Sequence, residues 1–135
     1  MAITINHQIN DISATVGNTT IDGVAIKNEA FLAISSNVGI IALDTSSATV
    51  FSLTLTENMA FSFSNAPANN IAYGFTLKVI QDSTPRTITW PSSVRWAAGT
   101  APTLSTGSGD VDVFVFFTHD NGTNWYGFVG GQDLS

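Results

Sequence analysis

Side chains able to do chemistry are few in this 135-residue sequence, and their spacing argues against catalysis. The two histidines, His7 and His119, are far apart. Neither Gly-x-Ser-x-Gly nor Ser-x-x-Lys occurs, so no serine nucleophile comes with a recognisable base. Absence of cysteine removes disulfides, thiolate metal sites and a thiolate nucleophile. Asp110 and Asp112 lie two positions apart in an extended segment, hence on one face, as two carboxylates approaching a Ca²⁺ ion would. Ca²⁺ takes about six or more oxygens, however, and no glycine-spaced Asp loop is present. The competing reading has Asp110 ending a loop and Asp112 solvated at a sheet edge. Tuned acids and bases need charged or buried neighbours. A sequence supplying so few predicts a protein that is not an enzyme and uses neither cofactor nor metal.

The aromatics are the better candidates. Trp90, Trp96, Trp125 and Tyr126 fall near loops, and Trp96 follows Arg95 and precedes a loop rich in small residues. An exposed indole there would stack on a sugar ring, so Trp96, Arg95, Trp90 and Tyr126 are the candidate glycan or partner contacts. The structural alternative has these rings plugging the ends of a sandwich, with each indole N–H given to a loop carbonyl.

Charge narrows the partners. Four bases against ten acids give a net charge of −6, too little positive charge to neutralise a phosphate backbone, so no nucleic-acid partner is expected. Apolar runs such as Val113 to Phe117 are far shorter than the roughly 20 residues that span a bilayer, so no membrane partner is expected either. The opening Met1-Ala2-Ile3-Thr4-Ile5 lacks the basic and apolar regions of a signal peptide. Charged residues make up only 10% of the chain, with 14 Ser, 17 Thr and 11 Asn in their place. A polar but weakly charged surface is cheap to desolvate against a neighbour, which suits a subunit of an assembly.

The elements that must position these residues follow a period of two. Phe51, Leu53 and Leu55 alternate with Ser52, Thr54 and Thr56; Met59, Phe61 and Phe63 alternate with Ala60, Ser62 and Ser64. These two runs, with Glu57-Asn58 between them, predict a hairpin. Tyr73, Phe75, Leu77 and Val79 share a face of the next strand, and Arg86 to Trp90 is a short strand halted by Pro91. Val111 to Thr118 is apolar on both faces, as in a strand covered on each side, with Val113, Val115 and Phe117 assigned to the core. Asn121-Gly122 tolerates positive φ at both turn centres and predicts a tight hairpin into Trp125 to Val129.

Upstream, Ile12 to Val16, Thr19 to Ile26, Glu29 to Ile34 and Val38 to Leu43 read as short strands, with one helical turn over Asn28 to Ala33 as the alternative. No internal repeat is visible. The expected fold is all-β: an antiparallel, jelly-roll-like β-sandwich over residues 49–135, with residues 1–48 as an extended β arm. That arm is poor in charge and holds Ile3, Ile5, Ile12, Phe31 and Leu32, the candidate assembly residues.

The block from Gly74 to Phe128 carries a more specific pattern. Phe75-Thr76-Leu77-Lys78-Val79-Ile80-Gln81-Asp82 is followed by Arg86-Thr87-Ile88-Thr89-Trp90-Pro91-Ser92-Ser93-Val94-Arg95-Trp96, then by Gly99 to Leu104, Asp112-Val113-Phe114 and Asn121 to Gly127. Over residues 49–130 the chain resembles a module common in virion structural proteins of tailed bacteriophages. The resemblance implies a non-enzymatic structural protein on the virion. The short chain, without shaft or baseplate domain, favours a capsid decoration (cement) protein. It would form a homotrimer on the outer surface of the capsid, bound to the major capsid protein or another virion protein. The alternative is a tail-fibre tip or adhesin domain that binds a host-surface glycan.

Overall fold

The computed structural model describes residues 30–36 and 38–134. They form β1 (Phe31–Ser35), β2 (Gly39–Asp44), β3 (Val50–Leu55), β4 (Met59–Ser64), β5 (Tyr73–Gln81), β6 (Ile88–Thr89), β7 (Val94–Arg95), β8 (Val111–Thr118) and β9 (Trp125–Leu134), with a single 3₁₀ turn at Ala97–Gly99. The all-β expectation holds: most of the described residues lie in strands, and apolar residues alternate with small or hydroxylated ones through β3 and β4.

The sheets are mixed, which corrects the antiparallel, jelly-roll expectation. One has the order β1-β3-β5-β8-β9-β7 and the other β2-β4-β6. From β1 to β6 the chain alternates between the two, and each strand lies parallel to the one a full turn earlier. Only β5, β8 and β9 run antiparallel, while β7 joins the edge parallel to β9. The chain therefore winds as a flattened coil before closing on an antiparallel ribbon. Phe31 sits beside Val50 and Gly39 beside Met59, nineteen and twenty positions on, so the backbone repeats where the sequence shows no repeat.

The predicted hairpin between β3 and β4 is replaced by an arch. The two strands belong to different sheets and present Phe51, Leu53 and Leu55 toward Met59 and Phe61 across the core. Two-residue hairpins want positive φ at their centres, and neither Glu57 nor Asn58 adopts it. Asn58 instead spends its side chain on the next turn of the coil, accepting the Thr87 N–H at 3.0 Å.

The core is aromatic at one end and aliphatic at the other. Phe63 of β4 reaches across to Phe75, Phe116 and Trp125 at ring separations of 5.2, 5.2 and 5.3 Å. Phe51, Leu53, Leu55 and Leu77 are fully buried, each contributing about 1.5–3 kcal/mol relative to exposure.

On β8 the inward face is the reverse of the expected one. Phe114 and Phe116 are fully buried while Val115 and Phe117 are each 38% exposed. Parity forces a choice of face, and the even face carries the two larger rings together with two polar residues that find partners inside. Asp112 accepts Ser105 N–H at 2.8 Å, Ser105 Oγ at 2.7 Å and the Asp133 N–H at 3.1 Å. Thr118 donates to Asp120 Oδ1 at 2.9 Å and accepts the Gly122 N–H at 3.2 Å.

Of the N-terminal residues singled out above, Ile3, Ile5 and Ile12 lie outside the described residues, as do the strands expected over 12–16 and 19–26. Phe31 and Leu32 belong to β1, in register with β3, so Phe31 to Ala33 is strand and not a helical turn.

Candidate functional site

The four candidate contact residues separate onto two faces. Trp90 and Trp96 are half-buried against the core. Trp90 lies 6.0 Å from Phe61 and 5.1 Å from Phe114, and Trp96 lies 5.3 Å from Trp90 and 5.6 Å from Phe116. Gly127 makes room for Trp96, since a Cβ there would sit 2.7 Å from the indole Cζ3. Trp125 is buried as well. The expected loop carbonyl for the Trp96 indole N–H is not found, and that nitrogen is buried without a partner among the described residues.

Arg95 and Tyr126 face the other way. They are register partners on β7 and β9, and both are exposed. Arg95 Nε donates to Asn124 Oδ1 at 2.8 Å, which fixes the guanidinium beside the β8–β9 turn.

That outer face carries an apolar strip that includes Val115 and Phe117, which corrects their expected place in the core. Tyr126 pairs with Phe117 and Phe128 with Val115 across β8 and β9. The Phe117 and Tyr126 rings are 5.5 Å apart and 26° from parallel, and His119 stacks 5.6 Å from Phe117 at 13°. Tyr126 is 37% exposed and Phe128 56%, beside Val115 and Phe117, so the strip meets solvent along its length. The signal that could have found it was Asp112 and Thr118, whose parity fixes Val115 and Phe117 outside once both polar groups have partners inside.

The turn beside the strip is tightly held. Asn121 and Gly122 have φ of 56° and 72°, and the Thr123 N–H donates to the Asp120 carbonyl at 3.2 Å, which bears out the Asn-Gly hairpin. The Asp120 carboxylate accepts the Asn124 N–H at 3.0 Å and Asn124 Nδ2 at 2.8 Å. The Asn124 backbone N–H, then its side chain, hold that carboxyl down to about 2.

Asp110 and Asp112 do not act as a pair. Asp110 accepts the Gly107 N–H at 2.6 Å and closes the loop before β8. Asp112 is buried and hydrogen-bonded, which corrects its expected place in solvent at an edge. No group of three His, Cys, Asp or Glu side chains converges among the described residues. A cleft of about 260 Å³ holds Arg86 between Pro85 and Pro102. Buried Gln81 grips the Arg86 backbone from both sides, accepting its N–H at 3.0 Å and donating to its carbonyl at 2.9 Å.

Comparison with family models, with curated proteins and with solved structures returned no match to this chain. The geometry itself offers a broad apolar face with a fixed arginine at its margin.

Proposed function

We propose that the protein is a non-enzymatic structural protein of a tailed bacteriophage virion, a decoration (cement) protein on the outer surface of the capsid. It acts as a homotrimer and binds the major capsid protein or another virion protein. The observation that carries the reading is the exposed strip of Val115, Phe117, Tyr126 and Phe128 on a chain with only four basic residues. A contiguous apolar face of this kind favours a protein partner. Its sparse charge lowers the cost of covering it. Residues 1–48 form the assembly segment, adding outward-facing Phe31, Val38 and Ile40, which are 64%, 73% and 74% exposed; residues 49–135 form the body. Repeating two modest contacts over a symmetric shell gives firm attachment without one strong interface.

A second reading, a tail-fibre tip or adhesin domain binding a host-surface glycan, is favoured by Arg95 beside Tyr126. An exposed ring next to a fixed guanidinium suits the apolar face and the hydroxyls of a sugar. Tyr126→Ser and Phe128→Ser, added separately to undecorated capsids, test the first reading. Both should weaken capsid binding by at least tenfold while leaving the thermal midpoint nearly unchanged. Undiminished binding by both variants would overturn the assignment of the strip.

A further inference from the structure

The turn between β8 and β9 is latched to the loop that carries the chain from β4 in one sheet to β5 in the other. The side-chain amide of Asn121 donates to the Pro67 carbonyl at 3.0 Å and to the Ala66 carbonyl at 3.2 Å. The opposite orientation of that amide would set oxygen against oxygen. Beside it, the Asn70 N–H donates to the His119 carbonyl at 3.0 Å. Gly122 lets the loop close in, since a Cβ there would sit 2.9 Å from the Ala66 Cβ.

Asn121-Gly122 is also the one Asn-Gly pair in the sequence. Asparagine is thermolabile because the next backbone nitrogen can attack its side-chain carbonyl carbon. A following glycine, with no Cβ, leaves that approach open. We infer that Asn121 is a site of spontaneous deamidation, restrained by the folded turn, and that its conversion releases the 65–70 loop irreversibly. In the first step the Gly122 nitrogen gives up its proton to water or hydroxide and forms a bond to Asn121 Cγ. The Cγ–Nδ2 bond breaks, and ammonia leaves with a proton from a five-membered imide. Water opens the imide on one side or the other, giving aspartate or, with the chain routed through Cγ, isoaspartate. Nothing is oxidised or reduced.

The fold restrains both reacting groups. The Gly122 N–H is spent on Thr118 Oγ1 at 3.2 Å, and two carbonyls hold the amide in place. Attack must therefore wait for a local opening of the turn. Afterwards the geometry opposes closure. An ionised carboxylate only accepts hydrogen bonds, so its oxygen would face the Ala66 and Pro67 carbonyls with no hydrogen between them. The Asp120 carboxylate, one residue before, adds like-charge repulsion. Isoaspartate also lengthens by one atom a turn whose two central residues hold φ of 56° and 72°. All these contacts lie within one chain, so the inference does not depend on the virion reading.

Peptide mapping by mass spectrometry tests the site on the full-length chain kept at mildly alkaline pH, folded and in urea. The peptide holding Asn121 should gain mass in both, about tenfold or more slowly in the folded chain. Equal rates would overturn the restraint, and no gain in urea would overturn the site. Hydrogen exchange at the Asn70 amide reads the latch. Asn121→Asp should speed that exchange by about tenfold, whereas Thr123→Asp, which adds the same charge to the same turn, should leave it within about twofold. Asn121→Gly keeps a residue suited to positive φ and drops only the amide, so it should also speed exchange while gaining no mass at that position. Unchanged exchange in both Asn121 variants, or equal acceleration by Thr123→Asp, would overturn release of the loop.

Discussion

Gly127→Ala is the sharpest perturbation of the aromatic core. The added methyl would lie 2.7 Å from Trp96 Cζ3, 2.9 Å from Cε3 and 3.0 Å from Cη2. Carbon atoms sit about 3.5–4.0 Å apart at rest, so the indole must move by about 0.5–1 Å. It has little freedom to do so, with Trp90 at 5.3 Å, Phe116 at 5.6 Å and Phe114 at 6.1 Å. Overpacking of this kind costs about 1–3 kcal/mol. The narrower unfolded ensemble of Ala returns about 0.4–1 kcal/mol. The net loss is about 1–2 kcal/mol, which for a chain of this size lowers Tm by about 3–10 °C. Differential scanning calorimetry reads this directly. Trp96→Phe shrinks the ring that must move, so the double variant should lose about 1 kcal/mol less than the sum of the single variants. A neutral or stabilising Gly127→Ala, or strict additivity, would refute the placement of Trp96 over β9.

Three further outcomes follow from the same geometry. Gly122→Val should cost about 2 kcal/mol or more, because Gly122 has a φ of +72° and a Cβ there would lie 2.9 Å from Ala66 and 3.0 Å from Trp125 Nε1; chemical denaturation measures it. The Asp120 carboxyl is held below its unfolded value, so its contribution is complete above about pH 4 and is lost as pH falls toward about 2. An Asp120→Asn variant should lose that part of the acid-side slope in a Tm-against-pH series. On β8, Phe116→Ala should cost about 3–5 kcal/mol and Val115→Thr less than about 0.5, and reversal of that order in urea melts would put the inward face of β8 back on its odd residues.

Faces were more legible in the sequence than neighbours. Phe51, Leu53 and Leu55 on β3, and Phe75, Leu77 and Val79 on β5, read inward from simple alternation and are buried. Asn121-Gly122 was readable because few residue pairs accept positive φ twice in succession. Alternation carries no information on strand direction, so parallel stacking of β1, β3 and β5 was invisible, and a three-residue arch looked like a hairpin. β8 failed for another reason: with Val113, Val115 and Phe117 on one face and Phe114 and Phe116 on the other, hydrophobicity alone does not choose. The choice lay with Asp112 and Thr118, whose partners Ser105, Asp133, Asp120 and Gly122 come from loops and from β9. Among the candidate contacts, Tyr126 and Arg95 reach the surface together, while the glycine at 127 draws Trp96 down onto the core.

Attachment to a capsid is what the proposed function stands or falls on. Electron cryomicroscopy of undecorated capsids of a tailed phage incubated with the full-length chain tests it most directly. Trimeric density repeated over the outer surface of the shell is expected, with β8 and β9 turned toward a neighbouring protein. Bare capsids at saturating protein, or density confined to tail-fibre tips in intact virions, would contradict it.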